Sequence, residues 1–252
     1  MADSIGQVEI GPVLEVDATD LGYRELNTRL RNAAVSGASI IAVRNVAGQR
    51  YIGTSLGRAI EIDLHGTAGD DLGAFMDGPT IVVHGNAQDG CGNTMRSGEI
   101  IVHGRAGDML GMSARGGKIF VRDDVGFRAG IHMKEAKSSK PVVVVGGAAR
   151  DFLAQSMAGG AIVLLGLTCQ KDRRRLPSHT GTDMHGGVIY FRGTAEDYQL
   201  GNGAGKAELD DDDLLELRAY VSEFARHFGY DAEEILKERF TKIFPLHRGG
   251  NE

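Results

Sequence analysis

Short β-branched runs recur along the chain: TIVVH from Thr80, EIIVH from Glu99, KIFVR from Lys118, PVVVV from Pro141, AIVLL from Ala161 and VIYFR from Val188. Each is bounded by glycine-rich, polar residues, which is the pattern of a four- or five-residue strand between turns. The polar segments repeat too. GTAGDDLGAFM from Gly66, GNAQDGCGNTM from Gly85 and GRAGDMLGMSA from Gly104 begin nineteen residues apart, and nineteen more reach Asp123, where DDVGFRAGIHM keeps the phase without its first glycine. Glycine returns seven residues into each copy (Gly73, Gly92, Gly111, Gly130) and methionine ten residues in (Met76, Met95, Met133). After KEAKSSK at 134–140 the phrase resumes at Gly147 with Asp151 and Met157. After QKDRRRLPSHT at 170–180, Met184, Gly186 and Gly187 restore it, and NVAGQRYIGTSLG from Asn45 is a degenerate first copy.

A nineteen-residue period is too short for a four-stranded propeller blade and carries no helical spacing, which excludes helix-pair solenoids. What remains is an all-β chain, a parallel β-helix whose short-stranded coils stack on copies of themselves. One coil cannot bury its own apolar face, so several must stack before any is stable. The repeat glycines Gly66, Gly73, Gly85, Gly92, Gly104, Gly111, Gly130, Gly147, Gly160 and Gly187 are expected at the corners, where a missing side chain permits positive φ and close approach of coils.

Two segments depart from this rhythm. YRELNTRLRNAAVSG places Tyr23, Leu26, Leu30 and Ala33 on one helical stripe that stops at Gly37. Near the other end, Asp210 to Asp213 put negative charge at the start of a helix carrying Leu214, Leu215, Leu217 and Val221, where the helix dipole favours it. A second short helix, DAEEILKERF, and then TKIFP follow. Exposed terminal coils are open strand edges, so both helical segments are expected to cap them. The division is 1–40 for the N-terminal segment and capping helix, 41–207 for the glycine-repeat β-helix and 208–252 for the C-terminal capping helices and tail.

Composition narrows the function. Glycine supplies 37 of 252 residues, yet 42% of the chain is hydrophobic and 25% charged, so it is neither collagen-like nor disordered. A formal charge of −6 argues against a general nucleic-acid or membrane-surface binder. With no signal-peptide pattern at the start and no long apolar stretch, a cytoplasmic location is expected. Cys91 and Cys169 are the only cysteines and stand far apart, which provides neither a disulfide framework nor a set of cluster ligands.

Stacking should align equivalent residues in ladders about 4.8 Å apart. One ladder is acidic: Asp70, Asp89, Asp108, Asp151 and Asp197. It reads either as calcium held between turns or as Asx turns accepting backbone N–H groups; a single acid per nineteen residues favours the turns. The other is His65, His84 and His103, continued by Arg122 and Arg192. Histidines in register read as a metal site or a strip for a partner, but arginine at the same position elsewhere points to an outward, solvated face. No metal, cofactor or catalytic residue is assigned. GNGAGK at 201–206 lacks the spacing of a phosphate cradle and reads as a terminal turn. Arg173, Arg174 and Arg175 form a basic loop and, with the three histidines, are the candidate partner contacts.

The repeated G-x-A-x-D-x-x-G-x-x-M phrases, the GG pairs at 116–117, 159–160 and 186–187, and the closing FTKIFP at 240–245 resemble the glycine-repeat domain of glutamate synthase, in its stand-alone form. The same repeat is found in the C subunit of formylmethanofuran dehydrogenase and its formyltransferase/hydrolase relatives. The resemblance spans about residues 40 to 245 and implies a right-handed β-helix that catalyses nothing itself. It implies a scaffold holding an amidotransferase subunit and an FMN/iron–sulfur synthase subunit in register, with an FAD/NAD(P)H reductase subunit as a further partner. FMN, FAD and iron–sulfur clusters would then lie on those partners and none in this chain. A formylmethanofuran-type redox complex is the alternative. A free-standing carbohydrate-active β-helix fits less well, because aromatic residues are 6% and tryptophan is absent.

Overall fold

The computed structural model describes residues 13–57, 59–136, 138–169 and 176–246. In it the sequence period becomes a spatial register. The elements are β1 (Val13–Asp17), α1 (Tyr23–Val35), β2 (Ile40–Ala47), β3 (Glu61–Thr67), β4 (Asp77–His84), β5 (Ser97–Val102), β6 (Lys118–Val121), β7 (Val142–Val145), β8 (Ala158–Leu164), β9 (Gly186–Arg192), β10 (Ala204–Ala207), α2 (Asp211–Phe228), α3 (Ala232–Leu236) and β11 (Phe240–Pro245). Strands β1 to β9 pair in sequence order, each parallel to the next. The result is a β-solenoid of about six turns.

Two inward columns hold the coils together. Ile41, Ile62, Ile81, Ile100, Ile119, Val143, Ile162 and Ile189 stand in one line across the strands, and all are buried. Val43, Leu64, Val83, Val102, Val121, Val145, Leu164 and Phe191 form the other. Complete burial of one such side chain contributes about 1.5–3 kcal/mol, too little per coil to offset ordering nineteen residues unless neighbours cover both faces. The longer insertions fall outside the strands: Val121 still faces Val145, and Leu164 still faces Phe191.

The corners explain the glycines. A Cβ on Gly66, whose φ is +130°, would stand 2.0 Å from the Val46 carbonyl oxygen of the preceding coil. Seven residues on, Gly73, Gly92, Gly111 and Gly130 all adopt left-handed φ between +65° and +73°. Non-glycine residues share the bend: Asp71 and Phe75, Met109 and Ser113, and Arg128 and His132 flank those glycines at positive φ. Repetition of this unusual geometry from coil to coil is stabilised by backbone hydrogen bonds between coils, such as Gly92 N–H to Leu72 O and Gly111 N–H to Cys91 O, both 2.8 Å.

The two ends are closed differently. Leu26, Leu30, Ala33 and Ala34 of α1 are buried in the same core as Ile41 and Val43, so α1 packs into the first coil, beside which β1 forms the edge strand. At the other end the cover is a strand. β11, the FTKIFP segment, pairs antiparallel with β9 and in turn carries β10. Helix α2 was expected over the end and instead lies along the outer face of the sheet. Its Leu217, Tyr220, Val221 and Phe224 form a second core with Phe120, Val144, Val163 and Tyr190. The reason is chemical: those outward strand positions are apolar, and an apolar sheet face needs a cover more than a strand edge that β11 already pairs.

Candidate functional site

The outer face of the sheet changes character along the stack. Its middle column runs Asp63, Val82, Ile101, Phe120, Val144, Val163, Tyr190 in register. Ile101 and the residues after it belong to the cluster that α2 covers, and Val82 packs against its edge. A polar strip remains at the start of the column around Asp63, and there the three histidines stand.

Asp63 and His65 are two residues apart on β3 and therefore share a face, while His65 lies directly opposite His84 on β4. The His65 and His84 rings stack with centroids 4.6 Å apart and planes 17° apart, and His84 stacks on His103 at 5.2 Å and 17°. Asp63 binds two of them: one carboxylate oxygen is 3.0 Å from His65 Nε2 and the other 2.6 Å from His84 Nε2. His103 meets the edge of Phe228, the last residue of α2, at 5.1 Å. Burial, followed by the positive charges of His84, Arg122 and His227 and against the pull of Asp63, lowers the His103 pKa. Arg122 continues the ladder, with Nε and one terminal nitrogen on the Asp123 carboxylate at 3.1 Å, which raises its basicity. Arg192, expected on the same solvated face, is instead buried, its Nε donating to the Ile235 carbonyl of α3 at 3.1 Å. Beneath the helix end, His227 packs on Phe120, and its Nε2 lies 3.4 Å from Glu99 without a hydrogen-bond partner.

The acidic ladder serves the stack itself. Asp89, Asp108 and Asp151 each accept a backbone N–H from the following coil: Asp108 N at 2.8 Å, Phe127 N at 2.9 Å and Ser178 N at 3.0 Å. These bonds run between coils, whereas an Asx turn would have closed locally. Gly107 and Gly126 make room, since a Cβ there would lie 2.1 Å from the Asp89 or Asp108 carboxylate. Asp70 pairs with Arg50 at 3.2 Å, and Asp197 with Lys206 at 2.9 Å. Of residues 201–206, read as a terminal turn, only 201–203 lie outside the strand, and Ala204 to Lys206 belong to β10. Arg173, Arg174 and Arg175 lie outside the described residues.

Other concavities offer less chemistry. A cleft of about 690 Å³ between α2 and β11 contains Lys140, Tyr190, Asp213, Glu216 and Lys242. These groups satisfy one another: Tyr190 Oη donates to Asp213 at 2.8 Å, Lys242 reaches Asp213 at 2.5 Å, and Lys140 pairs with Glu216. Burial works to raise the Asp213 pKa, but hydrogen bonds from Lys242, the Asp210 backbone and Tyr190 outweigh it and hold it low. On the corner side, Arg150 sits over the Phe127 ring at 5.3 Å and Arg128 over Phe152 at 5.5 Å. Burial pushes the Cys91 thiol up to about 12, so it is an inert core group.

Sequence reasoning missed Asp63, His227 and Phe228 as neighbours of the histidines. The D-x-H spacing of Asp63 and His65, one coil before the TIVVH run, was the available signal, but nothing local marks the arrival of α2.

Stacked coils cornered by glycine, an outer face half covered by a helix and half left polar: these features define a β-solenoid of the glycine-repeat class. The chain belongs to the GXGXG motif family, whose model matches residues 22–246. The uncharacterized protein MJ1350 of Methanocaldococcus jannaschii is 44% identical over 241 residues, spanning 92% of each chain. Among solved structures, a chain of the formyltransferase/hydrolase complex FhcABCD from Methylorubrum extorquens, crystallised with methylofuran, shares the fold with a TM-score of 0.62. The match covers 91% of this chain and 94% of that one at 17% identity. No helix among the described residues is long and apolar enough to cross a membrane.

Proposed function

We propose that this protein is a structural subunit of a multi-subunit enzyme, a rigid post against which catalytic chains are positioned, and that the enzyme is a glutamate-synthase-like oxidoreductase. The observation that carries the reading is the solenoid itself: a ladder of registered coils presents the same surface positions at fixed intervals. The polar cleft between α2 and β11 is lined by Tyr190, Asp213, Lys242, Lys140 and Glu216, which are already bonded to each other. Such a body is suited to holding two active sites at a set separation, which matters when an intermediate or electrons must pass between them. The FTKIFP segment resembles the glutamate synthase ending and supports that choice of complex. The partners would be an amidotransferase subunit, an FMN/iron–sulfur synthase subunit and an FAD/NAD(P)H reductase subunit, and these would carry the cofactors. This chain's two cysteines cannot ligate an iron–sulfur cluster of the usual four-cysteine kind, and one of them is buried in the core.

A second reading rests on the fold shared with a chain of the formyltransferase/hydrolase complex. Here the post would serve formyl transfer and hydrolysis. Anaerobic affinity isolation of the chain from its host separates the two. Mass spectrometry of the eluate, with assay of glutamine-dependent glutamate formation, should find amidotransferase and flavoprotein chains together with that activity. Recovery of formyltransferase-type chains would replace the first reading with the second, and recovery of the chain alone would remove both.

A further inference from the structure

We infer that Asp63, His65 and His84 form a binding site for a divalent transition-metal ion, of the kind zinc occupies. One ligand atom from each of the three residues lies within 4.8 Å of the others. The convergence is built by the sheet. Asp63 and His65 share a face by strand alternation, and His84 is fixed opposite His65 by the β3–β4 register. Two imidazole nitrogens are drawn toward the two oxygens of one carboxylate, at 3.0 and 2.6 Å. A zinc ion needs donors at about 2.0–2.2 Å and so a mutual donor separation of about 3.3 Å. Because the two rings stack with planes only 17° apart, binding requires one of them to swing out of the stack so that both Nε2 lone pairs point at the ion. Two imidazoles and a carboxylate form the open type of donor set, with three protein ligands and a fourth tetrahedral position left for water. That position would face solvent, because the His84 side chain remains 42% exposed.

The rest of the ladder supports the site without joining it. His103 stacks on His84 and is itself braced by Phe228, so it steadies the His84 ring from the side away from His65. On binding through Nε2, a charged ring releases its Nε2 proton to solvent, whereas a neutral ring that carries its proton on Nε2 shifts to the Nδ1–H tautomer with no net release. Asp63 exchanges its hydrogen bonds to the two rings for a bond to the ion. The site is independent of which enzyme the subunit serves.

The test is a metal titration of the full, untagged chain after chelator treatment. Zinc is followed by competition with a chromophoric chelator, and cobalt by its visible absorption. The expected result is one ion per chain, a cobalt spectrum of tetrahedral intensity, and affinity reduced about tenfold or more by either His84→Ala or Asp63→Asn. His103→Gln should retain the stoichiometry, and circular dichroism of each variant verifies the fold. Absence of saturable binding overturns the inference, and so does binding that survives His65→Ala and His84→Ala unchanged, which would place the ion elsewhere.

Discussion

The covered and open halves of the same sheet face are built on one backbone and serve different ends. Across β6 to β9 the outward middle column is Phe120, Val144, Val163 and Tyr190, and α2 closes over it with Leu217, Val221 and Phe224. Across β3 and β4 the same column is Asp63 and Val82, flanked by His65 and His84; Val82 packs at the edge of the α2 cluster, and Asp63 and the two histidines lie outside it. The inward columns do not change between the halves, being isoleucine, leucine or valine throughout apart from Phe191. Register and core therefore impose the coil, while the outward residues are free to decide what lies on it. Where they are apolar the chain supplies its own cover; where they are charged and imidazole-bearing, the surface remains available to something else.

The comparison is broken most severely by removing the helix's main contact. Phe224 is fully buried between the outer strands and the helix, and Phe224→Ala should destabilise the fold by about 3–5 kcal/mol, seen as a large drop in the denaturation midpoint. His84→Ala in the open half should cost less than about 0.5 kcal/mol in the same metal-free measurement. Equal losses at the two positions would mean that the open face is also structural, and the division between the halves would fail.

A smaller effect sharpens the boundary. Gly146 occupies the strip next to Val145, where a Cβ would stand 2.1 Å from the Arg122 carbonyl oxygen and 2.6 Å from the Phe224 ring. The helix approaches closely there because this position has no side chain. Gly146→Ala should cost about 1–3 kcal/mol through that overlap, measurable by chemical denaturation. Combined with Phe224→Ala, the loss should be less than the sum, because the second change removes part of the clash.

How much of this division is legible in the sequence differs by element. The coils are legible because they repeat the same demands: a branched aliphatic residue at most inward positions and a glycine at the left-handed corner, replaced in one coil by Ala154 at φ +58°. Helix α1 is legible because its stripe of Leu26, Leu30 and Ala33 meets a coil end immediately beside it in the chain. The place of α2 is not, since an amphipathic stripe states that a helix needs an apolar surface without saying which. A clue was present in PVVVV and AIVLL, whose residues are apolar on both strand faces and so call for cover on both. The acid ladder was read as local turns because a sequence displays neighbours along the chain, whereas Asp89 and Asp108 act on the residue nineteen positions later. The histidines were visible in register, but Asp63 joins them through strand alternation and Phe228 through the long return of α2.

The smallest predicted effect lies where the two halves meet. His103 stands between the open ladder and Phe228, and burial together with the charges of His84, Arg122 and His227 lowers its pKa. A histidine with a folded pKa below its unfolded value of about 6.5 binds fewer protons in the native state. Its contribution to stability is therefore complete above about pH 6.5 and is lost as pH falls toward the folded value. Acidification of the metal-free chain through this range should weaken the fold, and His103→Gln should flatten that part of the stability–pH curve. Because Asp63 opposes the shift, Asp63→Asn should steepen the dependence arising from His103, provided His84 stays stacked. A curve unchanged by His103→Gln would show that proton uptake elsewhere governs this range, and that the seam between the halves does not sense the ladder's charge.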